Sequence, residues 1–482
     1  MTRMWKLAAV LAIVATPTAL AAQGGASTFD RTKPPAAGPT PAFRLPAWTV
    51  DTLSNGARLV VVQRRDLPIV TFSMHFQGGT NQLGTRPGVS SFVGAMLSEG
   101  TTSRSGDQLT NDLALLGTDI NFSIGRESGS VSFSSLSRNF DQAADIMVDM
   151  MLHSTYPEAA LERLRAQRLA AYTRGQDVVG VVAGQVTPKL LYGDQPYGQV
   201  VNEADLKAVT RADVAQLAKA FFVPVNATVY VVGDMSRAEA KAKLERAFKA
   251  WPASGQKLAI SYPAAPALGP TTISIVNMPD KPQSQLVLAR TLPPEYSPDM
   301  PKIDVMNAIM GGMFQSRLNA DIREAHGFSY GFNSFPQWAD GPGMLRAQGA
   351  VTREKTDSSL ILAMRDIRGL TGSVPVTSDE LTAARNSLTL SLPSDLQSNS
   401  GVAGVVSRVV DNDLPQDWWT RYIAAVNATT SADVSRMAAT YMDPDHLMIL
   451  IVGDSARIAS SIAATGIAPV VFRDKTGKLI SK

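Results

Sequence analysis

Histidine and cysteine are the side chains best suited to hold a catalytic metal or to move a proton near neutral pH, and this 482-residue chain has four of the first and none of the second. The four are His75, His153, His326 and His446, and no two are close enough in sequence to share a helix turn. A helical zinc site needs imidazoles three or four residues apart, so that both point from one face at a single ion. That leaves only a site assembled from scattered histidines and carboxylates. Without cysteine there is no disulfide framework, thiol nucleophile, cysteine-held zinc or iron–sulfur cluster. Gly311-Gly312, ahead of a helical stretch, could aim backbone N–H groups at an anion, although a turn between helices uses the same residues. Asp234 and Asp454 end equivalent strands and read as caps or turns. Trp418-Trp419 reads as helix packing or a partner contact. Forty-five Lys and Arg against 42 Asp and Glu leave +3, which excludes a protein that must neutralise many phosphates.

The elements that must position these groups are organised by a repeat. Residues 210–234 align without a gap on 430–454, 220 residues further on, and Thr210, Ala212, Asp213, Val214, Ala218, Pro224, Val232, Gly233 and Asp234 meet identical residues. Each copy reads as a helix capped by Thr with an acid three residues later, then a proline-marked break, then a buried strand ending in Gly-Asp. The spacing predicts strands at 57–63, 69–76, 120–124 and 128–134 and helices at 89–97, 141–152 and 158–173 in the first half. The second half predicts strands at 272–276, 285–288 and 343–352, with helices at 301–309, 315–325, 354–369 and 378–392. The fold class is α+β: two duplicated halves, each a mainly antiparallel sheet with helices packed on one face. The halves are expected at 47–250 and 271–470, joined by a Pro/Ala/Gly-rich linker at 251–270, with a tail at 471–482. Arg3 and Lys6 precede an apolar run too short to span a bilayer, and small residues at Ala19 and Ala21 suit signal peptidase. Residues 1–22 are therefore expected to be a cleaved secretory signal, followed by a flexible tail at 23–46 and no membrane anchor. A cysteine-free exported chain suits a bacterial periplasm.

With these features in order, the sequence resembles the pitrilysin–insulinase family of zinc metallopeptidases, whose catalytic helix carries H-x-x-E-H. The landmarks are TLSNGARLVVV from Thr52, FQGGTNQLG from Phe76, GVSSFVGAMLSEGT from Gly88, GDQPYG from Gly193 and MGGMFQSRLNADIREAHGFSYG from Met310, spread over almost the whole chain. The resemblance implies paired α+β halves around a large chamber. It breaks at the catalytic helix. Aligning Gly88, Phe92, Met96, Gly100 and Thr101 on the family pattern puts Ser91, Gly94 and Ala95 where His, Glu and His belong. The third zinc ligand, a Glu on a later helix, falls at Ala171. Two imidazoles and a carboxylate hold the ion and the motif's Glu deprotonates its water; Ser, Gly and Ala do neither. The chain alone is expected to hold no catalytic zinc.

One feature of the family is present. Arg323 and Tyr330, seven apart in REAHGFSY, match the Arg–Tyr pair with which the half facing the zinc holds substrate backbone and steadies the transition state. A guanidinium offers a planar fork of donors to a peptide carbonyl, and a phenol can donate to an oxyanion. The resemblance thus implies a non-catalytic subunit of a periplasmic heterodimeric zinc peptidase, with zinc and H-x-x-E-H on a homologous partner and peptides as substrate. The second reading is a peptide-binding scaffold that has abandoned proteolysis. The third is a zinc enzyme using scattered histidines.

Overall fold

The computed structural model describes residues 43–480. The expected signal at 1–22 and most of the expected tail at 23–46 lie outside the described residues. The described part of that tail is not free: Phe43 and Leu45 pack against the core of the second half.

Among the described residues, twelve strands form two six-stranded sheets. In chain order the first sheet contains β1 (Thr49–Thr52), β2 (Arg58–Gln63), β3 (Ile69–Gln77), β4 (Asn121–Ile124), β5 (Ser128–Leu136) and β6 (Ala227–Gly233), arranged β1-β2-β6-β3-β5-β4. The second contains β7 (Thr272–Asn277), β8 (Gln283–Leu292), β9 (Asn333–Gln337), β10 (Gly343–Thr352), β11 (Met448–Gly453) and β12 (Val470–Arg473), arranged β12-β7-β11-β8-β10-β9. Removing the outer strands β1 and β12 leaves one topology twice. In each copy one neighbouring pair is parallel, β2 with β6 and β7 with β11, and the other pairs are antiparallel. Even the register repeats: Thr228 pairs with Arg58 and Met448 with Thr272, at the 220-residue offset seen in the sequence.

Six helices matter for the site: α1 (Ser90–Leu97), α2 (Glu158–Gly175), α3 (Val179–Tyr192), α4 (Arg211–Phe221), α5 (Asn399–Asp411) and α6 (Ser431–Tyr441). The repeat predicted caps for α4 and α6, and both form: Thr210 and Thr430 each exchange hydrogen bonds with an Asp three residues on. Each half's own helices cover one sheet face. The second face is covered by a helix of the opposite half. Val182, Ala183 and Val186 of α3 pack on Val287, Ala289, Leu450 and Val452 of the second sheet. Val402, Ala403 and Val406 of α5 pack on Val60, Val62, Tyr230 and Val232 of the first. This exchange explains why VYVV in β6 and MILIV in β11 are unbroken apolar runs: both faces of these central strands are buried. At the margin of α5, β3 and β5 alternate instead. Val70, Phe72, Met74, Val131 and Phe133 enter the core, while Thr71, Ser73, His75, Ser130 and Ser132 face the other way.

Two boundaries differ from the sequence reading. Trp251, placed in the linker, is buried in the first core and donates to the Phe222 carbonyl, so the first half extends through it, within a segment without regular elements that spans 251–271. The segment expected as a tail from 471 forms β12, parallel to β7, and turns back so that Ile480 N–H donates to the Phe472 carbonyl. Among the described residues no helix is long and apolar enough to cross a membrane.

Candidate functional site

The degenerate metal site is built on α1 and α2. Phe92, Val93, Met96 and Leu97 turn one face of α1 into the first core, leaving Ser91 exposed and Gly94 and Ala95 half-buried. The Ser91 hydroxyl donates to the Gly88 carbonyl at 2.6 Å, so it is occupied within its own helix turn. Gly94 lies against edge strand β4, where a Cβ would stand 2.7 Å from the Phe122 carbonyl oxygen. The position of the family's glutamate is therefore closed by backbone. Ala171 is exposed on α2. A zinc ion does not fit these residues, which offer one hydroxyl, two methyl groups and a hydrogen. Among the described residues, no three His, Asp or Glu converge as a metal site elsewhere.

Where the ligands are missing, an arginine stands. Arg168, one helical turn before Ala171, donates through Nη2 to the Ser91 carbonyl and lays its guanidinium over the Phe92 ring, 4.8 Å from the centroid. Burial lowers the pKa of Arg168 from its ordinary value. A second tie, Arg163 to Glu99 at 2.5 Å, runs from α2 to the second residue beyond α1. The two helices that supply metal ligands in the resembling catalytic peptidases are thus joined here by two arginines.

Arg323 and Tyr330 lie in the second half. Arg323 leaves the wide helical turn Ala320–Ala325, with its guanidinium 4.8 Å from the Phe314 ring centroid and 3.2 Å from the Glu324 carboxylate. Tyr330 is 91% exposed and has no hydrogen-bond or ion-pair partner among the described residues. Its loop is nevertheless fixed. The Ser329 hydroxyl donates to the carbonyls of Gly331 and Ala350, at 2.8 Å each. Buried Asn319 donates to the Phe314 carbonyl at 2.8 Å and accepts from Phe332 N–H at 3.2 Å, tying together the segments that carry Phe314 and Tyr330. The result is a half-buried Arg beside an exposed Tyr and Phe on a rigid base, able to grip an extended peptide through a carbonyl and an apolar side chain. No hydrogen bond or ion pair among the described residues joins this group to Ser91, Gly94, Ala95 or Ala171.

The histidines stay apart. His153 bonds Asp149, His446 bonds Asp443, and His326 bonds the Asp321 carbonyl, all on their own helices or turns. Among the described residues, His75 is the histidine that bonds across to the other half, through Asp411 of α5. Gly311 and Gly312 do not form the expected turn: they close the wide helical segment Ala308–Gly312, and a Cβ on Gly311 would collide with the Ser334 backbone nitrogen of β9. Trp419 is buried, with its indole N–H on the Val405 carbonyl, and Trp418 stacks on Tyr422. Asp454 is buried and accepts from Asp280 N–H, and Asp234 accepts from Ser137. Sequence reasoning missed Arg168, Phe314 and Asn319. Arg168 carried a signal, since three residues along a helix lie on one face; Asn319 carried none.

Comparison with known proteins bears on this arrangement. Residues 60–182 match the family model described as Insulinase (Peptidase family M16), and residues 208–388 match the one described as Peptidase M16 inactive domain. The chain is 22% identical over 413 residues to Uncharacterized zinc protease YmxG of Bacillus subtilis (strain 168), covering 83% of this chain and 97% of the relative. It is 20% identical to a probable mitochondrial-processing peptidase subunit beta of Arabidopsis thaliana, over 85% of this chain and 78% of that one. The crystal structure of a peptidase M16 inactive domain from Pseudomonas fluorescens superposes with a TM-score of 0.77 at 24% identity, covering 84% of this chain and 98% of that one. The periplasmic protease PqqL from Escherichia coli superposes with a TM-score of 0.71 at 18% identity; 87% of this chain is covered but only 47% of PqqL. At these identities the solved structures share the fold.

Proposed function

This chain belongs to the insulinase-type M16 peptidases and lacks their catalytic motif, and from that premise we propose that it is the non-catalytic, substrate-binding subunit of a periplasmic heterodimeric zinc metallopeptidase. The observation that carries this reading is the contrast between its two sites. The metal positions are filled by Ser91, Gly94, Ala95 and Ala171 and bridged by Arg168, while Tyr330 stands exposed and Arg323 half-buried on a base fixed by Asn319 and Ser329. A phenol 91% exposed and without a partner among the described residues has its donor available for a ligand. In the proposed complex the partner contributes H-x-x-E-H and its zinc, and this chain walls the other side of the chamber. Arg323 then holds a peptide carbonyl, and Tyr330 donates to the oxyanion that develops as water attacks. Export to the periplasm is supported by the signal-like residues 1–22, and the name of PqqL places that neighbour in the same compartment.

The test is reconstitution. The purified chain is expected to carry no stoichiometric zinc and to cleave no peptide, and to co-purify from periplasm with a similar-sized subunit bearing H-x-x-E-H that restores cleavage. In that complex Arg323→Ala and Tyr330→Phe are each expected to lower kcat by about 10²-fold or more while leaving assembly intact. Unchanged turnover in both variants removes the substrate-holding role. Peptide binding with no zinc-bearing partner favours the scaffold reading.

A further inference from the structure

Away from both sites, three side chains from the two halves form a hydrogen-bonded relay. Ser73 Oγ lies 2.8 Å from His75 Nε2, and His75 Nδ1 lies 2.7 Å from Asp411 Oδ2. The order is nucleophile, imidazole, carboxylate, with the two ring nitrogens used in the sense that serine hydrolysis needs. Ser73 and His75 are two apart on β3 and share one sheet face, because side chains alternate along a strand. Asp411 is the last residue of α5, which crosses from the second half. Its other oxygen accepts from the Tyr230 hydroxyl, so the carboxylate is held at both ends. A carboxylate facing Nδ1 fixes the proton there and leaves Nε2 free to accept from the serine.

The serine is reachable. A recess of about 530 Å³ opens over Ser73 and His75, bordered by Asn121 and Ser132 of the sheet and by Gly404 of α5. Ser132 pairs with Ser73 across the ladder, and Asn121 pairs with Ser132 on its far side, so a hydroxyl and an amide stand on the same rung as the nucleophile. Both can donate to a carbonyl oxygen bearing negative charge. The walls are mostly hydroxyl and amide, and Asp119 lies at the rim, which disfavours anionic and long-chain substrates.

We propose that Ser73, His75 and Asp411 form a second, metal-independent hydrolytic site that cleaves short-chain acyl esters of polar alcohols. Ser73 Oγ adds to the ester carbonyl as its proton passes to His75 Nε2. Collapse of the tetrahedral species expels the alcohol, which takes that proton. Water then gives a proton to His75 and adds to the acyl-serine, and collapse releases the acid and returns the proton to Ser73. Asp411 stabilises the imidazolium in both halves of the cycle.

This site needs no partner subunit, so the test uses the purified chain alone and is independent of the peptidase reading. A fluorophosphonate probe is expected to label the protein, with peptide mass spectrometry placing the adduct on Ser73. Hydrolysis of p-nitrophenyl acetate above buffer is expected to fall by about 100-fold in Ser73→Ala. Asp411→Asn is expected to lose turnover while its melting temperature tracks the interface it disturbs. Labelling needs no variant, so the outcome does not depend on Ser73→Ala folding. Absence of an adduct at Ser73, or equal turnover in wild type and Ser73→Ala, overturns the proposal and leaves the relay as a clasp between the halves.

Discussion

Replacing Arg168 asks whether an arginine now does the joining that a metal ion does in catalytic relatives. Arg168→Ala deletes the hydrogen bond to the Ser91 carbonyl and the contact with the Phe92 ring at 4.8 Å. A cation–π contact open to solvent is worth about 0.5–1 kcal/mol, and a hydrogen bond from a charged donor to a partly solvated carbonyl about 1 kcal/mol. The expected loss is about 1.5–2 kcal/mol, held locally because the Arg163–Glu99 pair still spans the helices. A loss of that size speeds exchange of the α1 backbone amides by about 10- to 30-fold when they exchange through local opening. Hydrogen exchange read by mass spectrometry on the peptide spanning 90–97 measures it directly. Arg168→Lys keeps the charge without the planar fork and is expected to fall between wild type and alanine; Arg168→Met keeps the stem and isolates the charge. If alanine leaves exchange at 90–97 unchanged, the arginine is a bystander and α1 is held by its core face alone.

Three other expectations follow from the packing. Asp304 is buried, and burial pushes its pKa up to about 6 although Tyr422 and Trp338 donate to it. Its folded pKa thus exceeds the unfolded value of 3.8, so stability is lost as pH rises from about 4 through 6. Asp304→Asn should remove that part of the pH dependence and stabilise the protein at pH 7 by up to about 3 kcal/mol, read as a melting-temperature difference that grows between pH 4 and 6.5. Restoring the family motif with Ser91→His, Gly94→Glu, Ala95→His and Ala171→Glu should not restore the metal. A Cβ 2.7 Å from the Phe122 carbonyl forces β4 outward at about 1–3 kcal/mol, and one equivalent of zinc with an unchanged melt would contradict this. Asn319→Ala orphans the Phe314 carbonyl and Phe332 N–H and should cost about 1–3 kcal/mol in denaturant melts.

The duplicated topology was legible because the repeat runs through a cap, a break and a buried strand, each with its own local chemistry. The two exchanged helices were not. VGVVAGQVTPKLLY and NSGVAGVVSRVVD are rich in β-branched residues and glycine, with Pro188 inside the first, so their local propensity argues against helix. Contact with a sheet of the other half overrides it. Yet Val182-Ala183-Gly184 and Val402-Ala403-Gly404 stand at the same 220-residue offset, so the repeat extends further back than its most conspicuous stretch. Within the site, the missing metal ligands could be read directly from Ser91, Gly94 and Ala95. Arg168, the closure at Gly94 and the Ser73–His75–Asp411 relay depend on which elements touch, and spacing along the chain does not encode that.

The exchange of α3 and α5 has a consequence for how such a chain ages. Each half supplies the cover for its neighbour's sheet, so Val60, Val62, Tyr230 and Val232 would meet water if the second half were lost, and Val287, Ala289, Leu450 and Val452 if the first were. A half that has surrendered its chemistry therefore remains under selection as a lid for the other. Catalytic residues can drift to serine, glycine and alanine while the framework around them is retained, because dispensing with a metal ion removes one function, whereas dispensing with α3 or α5 uncovers a sheet of the other half.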